Sequence, residues 1–242
     1  MYWAIASGIE GNFAAFEAML KDVQRSKLAV ETLYLLGDIV GPRRDAVKVV
    51  NRIQTPQLGD PTIVACLGWW EEQCMILHGL GQMNEPQQLI DRYGKSMAKL
   101  LWDAVPRSVV EWIRNLEFGF AELDCLLIHG SSMGVDEELT PETPVMMMLD
   151  RLNRMNVNQL FCGRSGQAFE YHLAQGSLEN TLTTLDQSAI VTTAELPQKR
   201  VVGVGSIGRE AGVATYLLFN PGSNELRFRT VKYSAARGFG AA

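Results

Sequence analysis

Tyr2-Trp3-Ala4-Ile5-Ala6-Ser7-Gly8-Ile9-Glu10-Gly11-Asn12 reads as a short buried strand, a glycine-rich turn and a helix cap. The apolar run ends at Ser7-Gly8, where backbone freedom replaces side-chain packing. Asn12 suits the cap, because its side-chain oxygen accepts from a backbone N–H two or three residues on. Phe13, Phe16, Met19, Leu20 and Val23 then recur at helical spacing. The same unit follows again: a strand over 32–36 stopped by Gly37-Asp38, a helix over 46–53, and a strand over 62–67 ending at Gly68. Strand and helix alternating through short connections imply right-handed crossovers and a parallel sheet core.

The middle of the chain reads as helical, over 87–102 and again over 106–116, the latter with its proline at the helix start. A strand over 124–128, a helix over 144–155 and a strand over 158–162 come next, and Met146, Met147 and Met148 read as packing residues. From Gln167 the pattern is strand-rich, and Asn220-Pro221-Gly222-Ser223-Asn224 joins two strands as a hairpin turn. Residues 1–242 are expected to form a single domain, with a frayed tail over about 234–242.

Composition narrows the function. With 47% hydrophobic residues the chain can bury a substantial core, and a net charge of −5 argues against a nucleic-acid or anionic-membrane binder. Cys66, Cys74, Cys125 and Cys162 form no CxxC pair, so they read as small buried residues in a reducing compartment. The N-terminus has no basic region of a signal peptide, and no apolar run approaches the roughly 20 residues needed to span a membrane. The expected location is the cytoplasm.

The informative residues lie in the loops after the strands, where open α/β sheets bind ligands. In order these are Ser7-Gly8-Ile9-Glu10-Gly11-Asn12, Gly37-Asp38-Ile39-Val40-Gly41, Gly68-Trp69-Trp70-Glu71, His129-Gly130-Ser131, Gly163-Arg164-Ser165-Gly166 and Gly205-Ser206-Ile207-Gly208. The series resembles the calcineurin-like metallophosphoesterases, in particular the compact bacterial branch related to diadenosine tetraphosphatases. That family's blocks run S-D-x-H-G-N, G-D-x-x-G, G-N-H-D/E, H-G-S and G-H-T-H, with a late G-S-V/I-G. The resemblance spans nearly the whole chain. It implies an α/β sandwich of two mixed β-sheets flanked by helices, with the motif loops gathered at one edge.

In such a family two metal ions clamp a phosphate and activate a bridging water. The resemblance places Asp38 at the bridging aspartate and His129 at a ligand of the second metal. Glu10 stands in place of a histidine and could still serve a hard cation. Gly8 stands in place of an aspartate and offers no side chain. Trp69 replaces a ligating asparagine, and its indole has no acceptor. Trp70 replaces the histidine that assists the leaving group, while Glu71 keeps an acidic position. Arg164 and Gly166 replace two ligating histidines, and a guanidinium stays protonated.

These replacements imply a dinuclear site that has lost most of its ligands, with no catalytic residues and no cofactor expected. The expected function is a binding or regulatory one, toward a small molecule or a protein. The alternatives are a weak phosphoesterase holding one Mn, Mg, Zn or Fe ion through Asp38, His129 and Glu10, and an unrelated α/β enzyme. Trp69 and Trp70 either fill the space of the ions or form an aromatic binding surface. Arg164 is expected to pair with Asp38 or Glu10 as a permanent substitute for the cation. His78 and His172 match no block.

Overall fold

The structure, a computed structural model, describes residues 1–81, 85–173, 181–184 and 198–234, the segment 181–184 through its backbone. The first three strands are β1 (Tyr2–Ala6), β2 (Val30–Leu36) and β3 (Thr62–Cys66), separated by α1 (Phe13–Arg25) and α2 (Ala46–Gln54). Next come α3 (Trp69–Leu77), α4 (Gln87–Tyr93), α5 (Lys95–Ala104) and α6 (Arg107–Ile113). The remainder runs β4 (Gly119–Glu122), β5 (Cys125–Ile128), α7 (Val145–Arg154), β6 (Gln159–Cys162), β7 (Ala168–Leu173), β8 (Thr181–Thr184), β9 (Lys199–Val204), β10 (Val213–Asn220) and β11 (Glu225–Lys232). The expected fray over 234–242 falls, beyond Ser234, outside the described residues.

These strands form two mixed sheets in the orders β11-β10-β1-β2-β3 and β4-β5-β6-β9-β7-β8. In the first, β1, β2 and β3 run parallel and the β10–β11 hairpin closes one side antiparallel. In the second, β5, β6 and β9 are the parallel centre. Alternation along each strand sorts the side chains into layers. Trp3 and Ile5, Tyr34 and Leu36, Leu217 and Phe219 face Leu127, Phe161, Val202 and Val204 in one cluster between the sheets. Their neighbours Ala4, Ala6, Leu33, Leu35, Tyr216 and Leu218 pack instead on Phe16, Met19 and Leu20 of α1. Met148 and Leu152 of α7 cover the outer face of the second sheet. The architecture is the expected α/β sandwich.

Several elements differ from the sequence reading for local reasons. The helix expected over 87–102 breaks at Gly94, whose φ of +82° no helix accommodates, giving α4 and α5. Strand β4 adds to the sequence pattern: Gly119-Phe120-Ala121-Glu122 is short, and only its pairing with β5 makes it a strand. Of the three consecutive methionines, Met148 is buried but Met146 is exposed, so the helix turns one of them to solvent. The four cysteines are free and buried, and burial pushes the thiols of Cys125 and Cys162 up to about 12. Among the described residues no helix is long and apolar enough to cross a membrane.

Candidate functional site

The loops at the C-terminal ends of β1, β2 and β9 are tied to one another by their backbones. Gly8, Glu10 and Gly11 donate to the carbonyls of Gly37, Asp38 and Ile39 at 3.2, 2.8 and 2.9 Å. Ile207 and Gly208 donate to Ser7 and Gly8 at 3.0 and 2.7 Å. The loop after β6 joins through Gly163 and Arg164, whose N–H groups both meet the His129 carbonyl at 2.8 Å. Glu10 and Asp38 each adopt a positive φ of 51°, a conformation that persists where surrounding bonds enforce it.

Asp38 lies at the centre and is fully buried. Its Oδ1 accepts from the Trp70 backbone N–H at 2.9 Å and lies 3.3 Å from His129 Nε2. The Trp70 contact caps the N-terminus of α3, where Gly68 has no side chain to do so. Asp38 Oδ2 accepts from Arg209 Nη2 at 3.0 Å. Burial alone would raise the pKa of Asp38, but the adjoining His129, Arg209 and Arg164 outweigh it and hold the group below the usual carboxylate range. The other ring nitrogen of His129, Nδ1, lies 2.7 Å from the Leu36 carbonyl and donates to it. The Nε2 atom has no hydrogen-bond partner among the described residues.

Arg209 joins three of the loops. Its Nε donates to Glu10 Oε1 at 2.7 Å, its Nη1 to the Arg164 carbonyl at 3.0 Å, and its Nη2 to Asp38. Burial opposes the charge, but the Asp38 and Glu10 carboxylates prevail and raise its pKa. One glycine makes room for this guanidinium. A Cβ on Gly166 would come within 2.5 Å of Arg209 Nη1, whereas one on Gly8 would meet Ser206 Oγ first, at 2.8 Å. Gly166 is a position where the resembling family carries a ligand side chain, and here Arg209 takes up that space.

The expectation for Arg164 is therefore corrected. Its Nη1 is 3.9 Å from Asp38 Oδ2, beyond a hydrogen bond, because Arg209 already occupies that oxygen. Instead the Arg164 guanidinium lies over the Trp69 ring, 4.6 Å from its centroid, a cation–π contact. Trp69 and Trp70 are both buried, in edge contact with each other and packed with Tyr93, so they fill space rather than forming an exposed aromatic surface. Sequence reasoning missed Arg209. The available signal is its position directly after the last motif block, whereas Arg164 lies inside a block, in place of a ligating histidine of the resembling family.

Glu71 has a role that the motif comparison did not supply. From the first turn of α3 its carboxylate accepts from the backbone N–H groups of Asp38, Ile39 and Val40 at 2.7, 2.8 and 2.8 Å. It is fully buried and holds the strained turn that presents Asp38. Burial and the charge of Asp38 push its pKa up to about 7. His78 and His172 stand apart: His78 stacks on Trp102 at 4.2 Å, and His172 lies 3.2 Å from Glu170.

The donor set does not suit a pair of divalent ions. Among the described residues no three His, Cys, Asp or Glu side chains come together as ligands. A guanidinium, which cannot coordinate a metal, already bonds both Glu10 and Asp38.

No protein-family model matches the chain, and no curated protein matches it significantly. Solved structures do. The crystal structure of a metallophosphoesterase from Sphaerobacter thermophilus is 16% identical, over 96% of this chain and 89% of that one, with a TM-score of 0.69. A hypothetical protein from Pyrococcus horikoshii is 21% identical over 96% and 88%, with a TM-score of 0.68. A cold-active protein-tyrosine phosphatase from a psychrophilic Shewanella is 14% identical over 96% and 80%, with a TM-score of 0.52. With the sheet orders and the loop cluster described above, these likenesses establish that the chain has the metallophosphoesterase fold.

Proposed function

We propose that this chain is a non-catalytic member of the calcineurin-like metallophosphoesterases, related to the compact diadenosine-tetraphosphatase branch, acting as a binding or regulatory protein in the cytoplasm. One observation carries the reading: the Arg209 guanidinium bridges Glu10 and Asp38 at 2.7 and 3.0 Å. Those carboxylates are the ones a metal would need, and a fixed organic cation neutralises them instead. Phosphoryl transfer depends on cations that clamp the phosphate and generate a nucleophile at neutral pH. Arg209 supplies charge, but it cannot lower the pKa of a bound water as a metal does. Trp69, Trp70 and Gly166 remove further ligand and proton-transfer chemistry. No cofactor and no catalytic residue are assigned, and the partner is a small molecule or protein rather than nucleic acid or a membrane.

Phosphomonoester and phosphodiester substrates, offered with manganese, magnesium or zinc, are expected to turn over no faster than the protein-free control. Metal-dependent hydrolysis that disappears in Asp38→Asn would refute the reading. One feature favours the single-metal alternative. His129 is oriented by the Leu36 carbonyl as metal-bound imidazoles are by their outer partners, and its Nε2 has no hydrogen-bond partner among the described residues. In that case an ion would have to displace Arg209 from Asp38, and activity would rise in Arg209→Met.

A further inference from the structure

Arg164 is only 3% exposed, yet among the described residues its guanidinium is incompletely hydrogen-bonded. Its Nε is buried with no partner among the described residues, and its terminal nitrogens stop 3.9 Å from Asp38 and 3.5 Å from Glu138. A buried guanidinium donor without a partner is costly, because it has left water and gained nothing equivalent. The Trp69 face compensates for part of the charge and fixes the plane of the group, but it accepts none of the in-plane N–H groups. Burial accordingly lowers the pKa of Arg164.

The same side chain lines a cavity of about 480 Å³ with Trp69, Gln88, Asp91, Arg92 and Asp136. Arg92 brings a second guanidinium to this wall, anchored by Glu138 at 2.8 Å. We propose that this cavity is an oxyanion site, in which Arg164 holds a carboxylate or phosphate of a small molecule through paired N–H groups. A planar fork matches such a group in a way an ammonium does not. Asp91 and Asp136 disfavour a polyanion and suit a ligand whose hydroxyl or amine donors flank a single oxyanion. The site adjoins the Arg209-filled centre and uses different atoms of the loop after β6. It rests on the reading of a non-catalytic binding protein, for which it names the class of ligand.

The test follows the arginine Nε–H resonances of metal-free protein by NMR, with the Arg164 signal assigned by its loss in Arg164→Lys. Glycerol-3-phosphate, inorganic phosphate and lactate are the probes. A saturable shift of the Arg164 signal with a dissociation constant of about 1 mM or tighter is expected for at least one of them. The pattern among the three distinguishes a phosphate from a carboxylate source. Arg164→Lys keeps the charge and is expected to weaken that binding at least about tenfold, which calorimetry reads without the lost resonance. Unfolding midpoints confirm that the variant is folded, and Gln88→Ala serves as a milder second variant should it not be. No shift with any probe, or unchanged affinity in folded Arg164→Lys, overturns the oxyanion site. Binding that requires added manganese also overturns it, and in addition contradicts the non-catalytic reading. Failure of all three probes in protein that still hydrolyses nothing leaves that reading standing.

Discussion

Arg209→Met is expected to destabilise the fold by about 2–4 kcal/mol, and Asp38→Asn in the same chain to recover much of that loss. Removing one partner of a buried ion pair typically costs about 3–5 kcal/mol, because the other charge is left uncompensated. The cost falls toward the lower end because the Arg209 side chain is 28% exposed and His129 and Arg164 remain near Asp38. Methionine keeps much of the volume, so the loss reports charge and hydrogen bonds more than packing. Chemical denaturation of the two single variants and the double variant gives the coupling directly. Additive losses would mean that Arg209 and Asp38 do not support one another. The acid side of the stability profile carries the same information. Folded Asp38 titrates below its unfolded value of about 3.9, so its contribution is full above that pH and lost as the pH falls further. Arg209→Met should shrink this acid-sensitive contribution.

The second large effect belongs to Glu71. Glu71→Ala leaves the N–H groups of Asp38, Ile39 and Val40 without an acceptor in a buried turn, at about 1–3 kcal/mol for each unsatisfied group. A total loss of about 3–5 kcal/mol is expected, since local relaxation relieves part of the sum. Glu71→Gln keeps one acceptor oxygen and should lose less than alanine does. The pH dependence runs opposite to that of Asp38. The folded pKa of Glu71 is raised to about 7, so its contribution is full below the unfolded value of about 4.3 and is lost as the pH rises through 7. The glutamine variant should remove that slope between about pH 4 and 7. An alanine variant as stable as the wild type would show that the turn finds other acceptors.

Much of the scaffold was legible because it rests on local patterns. The run from Tyr2 to Ala6 and the cap at Asn12 match β1 and α1, and Asn12 Oδ1 accepts from Ala15 as its chemistry predicts. The hairpin between β10 and β11 followed from Asn220-Pro221-Gly222, where the Asn220 side chain accepts from the Gly222 and Ser223 N–H groups. Helix α3 departs from the sequence reading, which places Gly68-Trp69-Trp70-Glu71 in a loop. The acidic pair Glu71 and Glu72 in its first turn was the overlooked sign of a helix start. The motif blocks located Asp38 and His129, which the fold brings within 3.3 Å of one another. They could not rank Arg164 against Arg209. Both follow strands into the same cluster, and which guanidinium reaches Asp38 depends on space left by Gly166, far from Arg209 in sequence. The role of Glu71 was hidden for a related reason: its partners are backbone groups, which no pattern of side chains reports.

Metal content is the most direct measurement of whether Arg209 stands in for the ions. Protein purified without chelators and dialysed against manganese and zinc is analysed for bound metal, beside Asp38→Asn as the control. The ion pairs of Arg209 with Glu10 and Asp38 predict well below one ion per chain, the same in both proteins. One or two ions retained per chain by the wild type and lost in Asp38→Asn would contradict it, and would restore a metal centre to this site.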